Sequence, residues 1–314
     1  MIAPKIRFSA PFFLKNFATA PLFRPILFYG YALCLTTILA PLVFNGAVYW
    51  HQHWPSRLTH YLVHKNFTVF FERLRLISFL LFTPCLWKFY RRRVADQSFL
   101  FFSWGKFFYF FTIGSIFCGG IFLAKMLMQG FCWESADPLR SPKLLLPKLL
   151  SGAIVLSIIE EWLFRGLIFQ IFLRCVRPFY AIIFSSLLFA YFHFRPNYTV
   201  SAQNTFVTLS DSFSCLAEIL FHTFSNISLL KFSILFTFGC LLATIYFYVK
   251  NLSAPIGFHS GVVFALMYFK RYIFFPDSHY FFGANDILNS PFVLLATTIF
   301  TASIHRYFSH KTGN

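Results

Sequence analysis

The chain has 314 residues, of which 58% are hydrophobic and only 12% charged, and its formal net charge is +17. That balance excludes a soluble domain of this size, which cannot hide so much apolar surface. Nor does the charge indicate nucleic acid, because the basic residues cluster at the ends of long apolar runs, where they anchor to lipid headgroups and set topology.

Segment 1–24 is basic, with Lys5, Arg7, Lys15 and Arg24, and is broken by Pro11 and Pro21. Lys15 interrupts any apolar core of a signal peptide, so cleavage is not expected. Apolar runs follow at 25–50, 67–87, 107–124, 149–173, 179–194, 232–249, 253–269 and 288–304. Most approach the roughly 20 residues that a helix needs to cross the hydrocarbon core. They predict an all-α membrane protein, a bundle of about eight transmembrane helices. The N-terminal helices fill 25–124, a core 149–269, and a last helix with a basic tail 288–314. The second run carries Glu72, Arg73 and Arg75 in its first turns, which places its start at the interface. The connection 195–231 contains "FSCLAEILFHTF", with Glu218 and His222 on one face, and fits an amphipathic helix at the membrane surface. No internal repeat is evident, so an inverted-repeat transporter gains no support.

Orientation follows from the loops. Basic residues precede run 1, follow run 2 (Lys88, Arg91, Arg92, Arg93), run 4 (Arg174, Arg177) and run 6 (Lys250), and recur in the tail at Arg306 and Lys311. With eight crossings these share one side, so both termini are expected in the cytosol of a multi-pass cell-membrane protein. The seven cysteines (34, 85, 118, 132, 175, 215, 240) show no CxxC spacing. They are read as packing residues with no metal or disulfide role.

Run 4 holds "IIEEWLFRG" at 158–166. A charge at this depth costs at least about 2.5–3.5 kcal/mol and has to be paired, wet or functional. Glu161 and Arg165 are spaced i,i+4 with the acid first, which suits an ion pair on one helix. Glu160 points about 100° away from Glu161 and has no such partner. A general base must take up and release a proton near neutral pH, and an unpaired carboxylate in a low-dielectric site meets that need. Two histidines stand on other helices. His193 closes "LLFAYFHF", one turn after Phe189, and His259 lies early in the run after "LSAPIGFHSG" opens it. Taken singly, either fits an interfacial histidine; the combination of one unpaired Glu and two His on three helices singles out Glu160, His193 and His259.

The pattern E-E-x-x-x-R, then F-x-x-x-H, then a His early in a later helix resembles the CAAX-protease and bacteriocin-processing family of intramembrane glutamic endopeptidases. The resemblance covers roughly 149–269 and implies an eight-helix membrane bundle. It implies that Glu160 is the base that activates water, that Glu161 and Arg165 support the site, and that His193 and His259 complete it. In the prenyl-protease branch the last motif is H-x-x-x-N, whose Asn helps stabilise the oxyanion; here that place is Val263. A donor would have to come from His259 or Ser260.

The function expected is hydrolysis of a peptide bond in a membrane-associated, lipidated or plain, peptide or protein substrate, with the lipid bilayer as surroundings, no nucleic acid partner and no cofactor. Two alternatives stand beside it. Two His and a carboxylate around a water also describe a zinc site, although no H-E-x-x-H helix supports one. Val263 instead motivates an inactive scaffold or immunity-type membrane protein.

Overall fold

The computed structural model describes residues 23–56, 60, 67–91, 102–133, 142–193, 206–218, 221, 228–275, 280–283 and 287–312. In chain order these form α1 (Phe23–His53), α2 (Phe67–Arg91), α3 (Trp104–Gln129), α4 (Pro142–Glu161), a π-helical segment Trp162–Ile168, α5 (Phe169–Cys175), α6 (Pro178–Phe192), α7 (Leu209–Ala217), α8 (Leu229–Val249), α9 (Ser253–Tyr272) and α10 (Pro291–Thr312). The described residues are all-α apart from a two-stranded antiparallel ribbon, β1 (Cys132–Trp133) with β2 (Ile273–Phe274). Most of the basic N-terminal segment, Arg92, Arg93 and His222 lie outside the described residues.

A helix is found at each of the eight apolar runs, but they are unequal. By length and apolarity, three are fit to cross a membrane among the described residues: Tyr29–His53, Trp104–Gln129 and Leu229–Val249. The others fall short of the expected eight for physical reasons. Glu72, Arg73 and Arg75 load α2; Lys148, Glu160 and Glu161 load α4; Lys270 and Arg271 end α9. Helix α6 has 15 residues, so it spans about 22 Å at 1.5 Å each, less than a ~30 Å hydrocarbon core.

The chain divides into two compact units. One comprises Met1–Arg93 with Pro196–Ser225, the other Val94–Arg195 with Asn226–Asn314. In the first, α1 packs on α2 and both receive α7. Phe44 meets Phe67 and Phe70 edge-on at 5.4 and 5.3 Å, and Thr36 Oγ1 bonds Ser78 Oγ at 3.1 Å.

In the second unit the closest helix pair is α3 with α9. Its cause is glycine. A β-carbon on Gly257 would overlap the carbonyl oxygen of Phe107, one on Gly261 that of Phe111, and one on Gly114 that of Phe258. Gly257 and Gly261 form the small-xxx-small spacing that lets helix backbones touch in lipid. The pairs Phe107–Gly257, Phe111–Gly261 and the stacked Phe122–Phe269 rise together along both chains, so α3 and α9 run parallel. Ser103 N–H donates to Ser253 Oγ (2.8 Å) where they start, and the ribbon joins them where they end. Parallel direction is what alternating crossings require of the third and seventh runs. Helix α8 packs on α6, α9 and α10, while α4 packs on α9. Lys250 stops α8 in the left-handed region (φ 53°), its N–H bonded to Tyr246 O, so α9 starts at once.

Of the cysteines, Cys118 and Cys215 are buried packing residues, as expected; Cys34 and Cys132 are exposed and are not.

Candidate functional site

All five residues singled out in the sequence belong to the second unit and meet in one cluster. Helix α4 delivers Glu160 and Glu161 in its last turn. The π-helical segment follows directly, and Leu163 through Leu167 are buried on every side. An i→i+5 turn of this kind is a common feature of functional sites. It carries Arg165, whose guanidinium is 1% exposed.

Arg165 is held three ways. Nη1 donates to Glu161 Oε1 at 3.0 Å, Nη2 donates to the carbonyl of Gly239 at 2.9 Å, and the guanidinium lies 4.6 Å from the ring centre of Phe189. Gly239 is placed for this because α8 presses against α6 there; a β-carbon on it would come 3.0 Å from Ser186 Cβ and 3.3 Å from Phe189. Buried charge is tolerable in such a setting only when paired and hydrogen-bonded.

The histidines arrive from opposite helix ends. His193 caps α6, and its Nδ1 lies 2.7 Å from Phe189 O. His259, in the second turn of α9, sets Nδ1 2.8 Å from Glu161 Oε1. A carbonyl and a carboxylate oxygen only accept, so each Nδ1 carries the hydrogen and each neutral ring keeps a lone pair at Nε2. Both Nε2 atoms face Glu160 Oε2, from His193 at 3.4 Å and from His259 at 3.7 Å. The Glu160 Oε2 atom is buried and makes no hydrogen bond among the described residues. Three acceptors thus surround one small space, an arrangement that needs shared protons to be stable.

The cluster is graded from closed to open. Glu161 is fully buried and His259 is 4% exposed, whereas Glu160 and His193 are 20% and 26% exposed. Access is therefore from the Glu160–His193 side. Phe189, Phe238 and Phe164 wall the rest: Phe189 packs on His193 at 4.2 Å, and Phe238 on His259 at 5.3 Å edge-on. Among the described residues, no group of three or more His, Cys, Asp or Glu side chains has the spacing to hold a metal ion.

Two features escape sequence reasoning. One is the direct bond from His259 to Glu161, which makes that histidine a bridge between the two glutamates. The other is the Gly239 carbonyl under Arg165, for which a lone glycine within an apolar helix was the available sign.

Residues 142–265 match the family model described as type II CAAX prenyl endopeptidase Rce1-like, a segment that includes all five site residues. The family resemblance drawn from the motifs thus holds over this segment, and the matched family is one of proteases. No curated protein and no solved structure matches the chain.

Proposed function

We propose that this protein is an intramembrane endopeptidase that hydrolyses a peptide bond of a membrane-associated peptide or protein, lipidated ones included, with a water activated by Glu160. The observation that carries it is the convergence of Glu160 Oε2 with the lone-pair nitrogens of His193 and His259 on one accessible point. A water there gives one proton to a bond with Glu160 and the other to His193 Nε2, leaving its oxygen lone pair for the substrate carbonyl. As oxygen attacks, the C–O bond forms, the carbonyl π pair moves to oxygen, and Glu160 takes the water proton. For the oxyanion, His259 Nε2 first takes up a proton from solvent; the imidazolium so formed donates from Nε2 to the oxyanion, while Glu161 offsets its charge through Nδ1. Collapse breaks the C–N bond, and Glu160 passes its proton to the leaving amine.

Eight crossings with both termini in the cytosol complete the proposal. They are supported by the helix at each apolar run and by the parallel α3 and α9. His259 lies seven residues beyond Leu252, about 10 Å into the bilayer from the start of α9. The site then sits in the cytosolic half and draws water from there. Reporter fusions at residues 1 and 314 should both read cytosol; a split result means an odd number of crossings.

The deciding experiment compares membrane proteomes of cells carrying the wild type or Glu160→Gln. New peptide termini should appear with the wild type alone. If the variant inserts, folds and retains the biological effect with no such termini in either, the protein is a scaffold.

A further inference from the structure

Helix α7 has three distinct edges. Ser212, Cys215 and Leu216 turn toward α1 and α2, the first two buried, the third partly so. Ser210, Ser214 and Glu218, four apart, form a polar row on the far side of the helix from that face, with Ser214 Oγ donating to Ser210 O. Leu209, Phe213 and Ala217, also four apart, form an apolar row that Phe206 precedes and Phe221 follows. This row is open: Phe206 is 75% exposed, Phe213 54% and Phe221 71%. In water such a row would be costly, and contiguous exposed apolar surface marks a partner.

The level of α7 identifies the partner. Asn45 holds the residue just ahead of the helix at both backbone atoms: Val207 N–H donates to Asn45 Oδ1 at 2.9 Å, and Asn45 Nδ2 donates to Val207 O at 2.8 Å. Asn45 belongs to Tyr29–His53, the apolar span of α1. One turn further on, α1 exposes Tyr49 and Trp50, and Trp54 follows it. Exposed Tyr and Trp at the end of an apolar helix mark the headgroup level. Asn45 is four residues below Tyr49, so α7 begins about 6 Å beneath that belt. That is the depth at which an interfacial helix seats its apolar face.

The backbone is prepared for this depth. Away from water each N–H and C=O needs an internal partner. Asn45 satisfies Val207. Thr208 and Asp211 form a reciprocal capping box, Thr208 N–H to Asp211 Oδ2 at 2.7 Å and Asp211 N–H to Thr208 Oγ1 at 3.4 Å.

We infer that α7 lies within the membrane at the boundary of headgroups and acyl chains, its Leu209–Phe213–Ala217 row, with Phe206 and Phe221, embedded in lipid acyl chains and its Ser210–Ser214–Glu218 row toward the headgroups. It lies on the side where α1 ends, as eight crossings require of the connection between α6 and α8. The inference needs the protein to be in a bilayer and does not depend on the hydrolase assignment.

The test places the fluorophore NBD at neighbouring positions. Phe213→Cys and Ser214→Cys are made in the full chain with Cys34, Cys85, Cys132, Cys175 and Cys240 changed to Ser, the buried Cys118 and Cys215 kept, and are reconstituted in phosphatidylcholine vesicles. Phosphatidylcholine brominated at the 6,7 carbons should remove most of the emission at position 213, and aqueous iodide should leave it intact. At position 214 the preference should reverse. Leu209→Cys, on the same row as Phe213, should repeat the bromine result and serves if Phe213→Cys fails to insert. Iodide quenching at both positions 213 and 209 would show α7 in water and overturn the inference. Insensitivity of both to either quencher would show the row covered by protein, a second copy included, and would overturn it equally.

Discussion

Glu161 is fully buried and spends one oxygen on two partners, Arg165 at 3.0 Å and His259 at 2.8 Å, whereas Glu160, one position earlier, keeps a fifth of its side chain exposed and meets two imidazole nitrogens at 3.4 and 3.7 Å. The difference comes from helix geometry. A step of one residue turns a side chain by about 100°, so one carboxylate faces along its own helix while the other faces a cleft. The closed side behaves as a support, with charges matched within the fold. The open side leaves an acceptor whose proton partners must come from outside the protein. His259 belongs to both, and through it the arrangement of one glutamate fixes the surroundings of the other.

The sharpest way to break this comparison is Glu160→Gln. The amide keeps the volume and cannot take the water proton. Peptide cleavage should fall by about 10²–10⁴, the range for removal of a general base. Thermal stability in detergent should hold near wild type, because no bond among the described residues depends on Glu160 Oε2. A larger fall in melting temperature for Glu160→Gln than for Glu161→Gln would show that the two roles are reversed.

Glu161→Gln should fail in the opposite manner. It removes the counter-charge of Arg165, which at 1% exposure is left with neutral acceptors alone, the new amide oxygen and the Gly239 carbonyl, beside the Phe189 ring. Breaking a buried pair from one side costs about 3–5 kcal/mol. The yield of folded protein should drop, and what folds should hold His259 Nδ1 through a neutral amide oxygen in place of a carboxylate. Size-exclusion profiles and thermal melts of the two variants side by side separate support from chemistry.

A third substitution moves the shared histidine. Gly261→Ala places a methyl against the backbone of Phe111 and Ser115, so α3 and α9 must separate. Overpacking of this kind costs about 1–3 kcal/mol. Gly120→Ala is the control, since nothing lies within 4 Å of its β-carbon. There the exchange should be neutral or gain up to about 1 kcal/mol from helix propensity. Equal melting temperatures for the two would mean that the helices have room to spare and that glycine does not set the depth of His259.

Much of this site is legible in the sequence because its signals are local. The i,i+4 spacing of Glu161 and Arg165, the isolation of Glu160 and the two histidines on later helices are all readable from positions along the chain. What the sequence hid is tertiary. Nothing in "SAPIGFHSG" tells which carboxylate His259 Nδ1 will reach, because that depends on how α9 is rotated against α4. The rotation is set by Gly257 and Gly261, whose four-residue spacing was visible but whose partner helix was not. The π-helical segment has no compositional mark in "WLFRGLI", and two-residue strands are too short to leave a pattern. The count of crossings stands lower by apolarity than by periodicity because α2, α4 and α9 carry charges, and α6 stops short at His193.

The smallest expected effect is at Val263. It lies one turn beyond His259 on α9, so both side chains leave the helix on the same side, and it is partly buried. An Asn there adds a carboxamide donor next to the proposed oxyanion position, where His259 is the donor already assigned. If that donor reaches the developing oxyanion, cleavage rises, by about 10-fold or more at best. If it finds no partner, burying it costs about 1–3 kcal/mol, which a thermal melt detects. The assay is cleavage of a lipid-embedded peptide library by wild type, Val263→Asn and His259→Ala, with folded protein quantified in each. Should wild type cleave while folded Val263→Asn does not, position 263 touches the substrate and the oxyanion is held from elsewhere. Should both be inert across pH values from about 5 to 9 with the variant folded, the open side of the glutamate pair has no chemistry to perform, and Glu160 belongs with Glu161 as part of a polar framework in a scaffold.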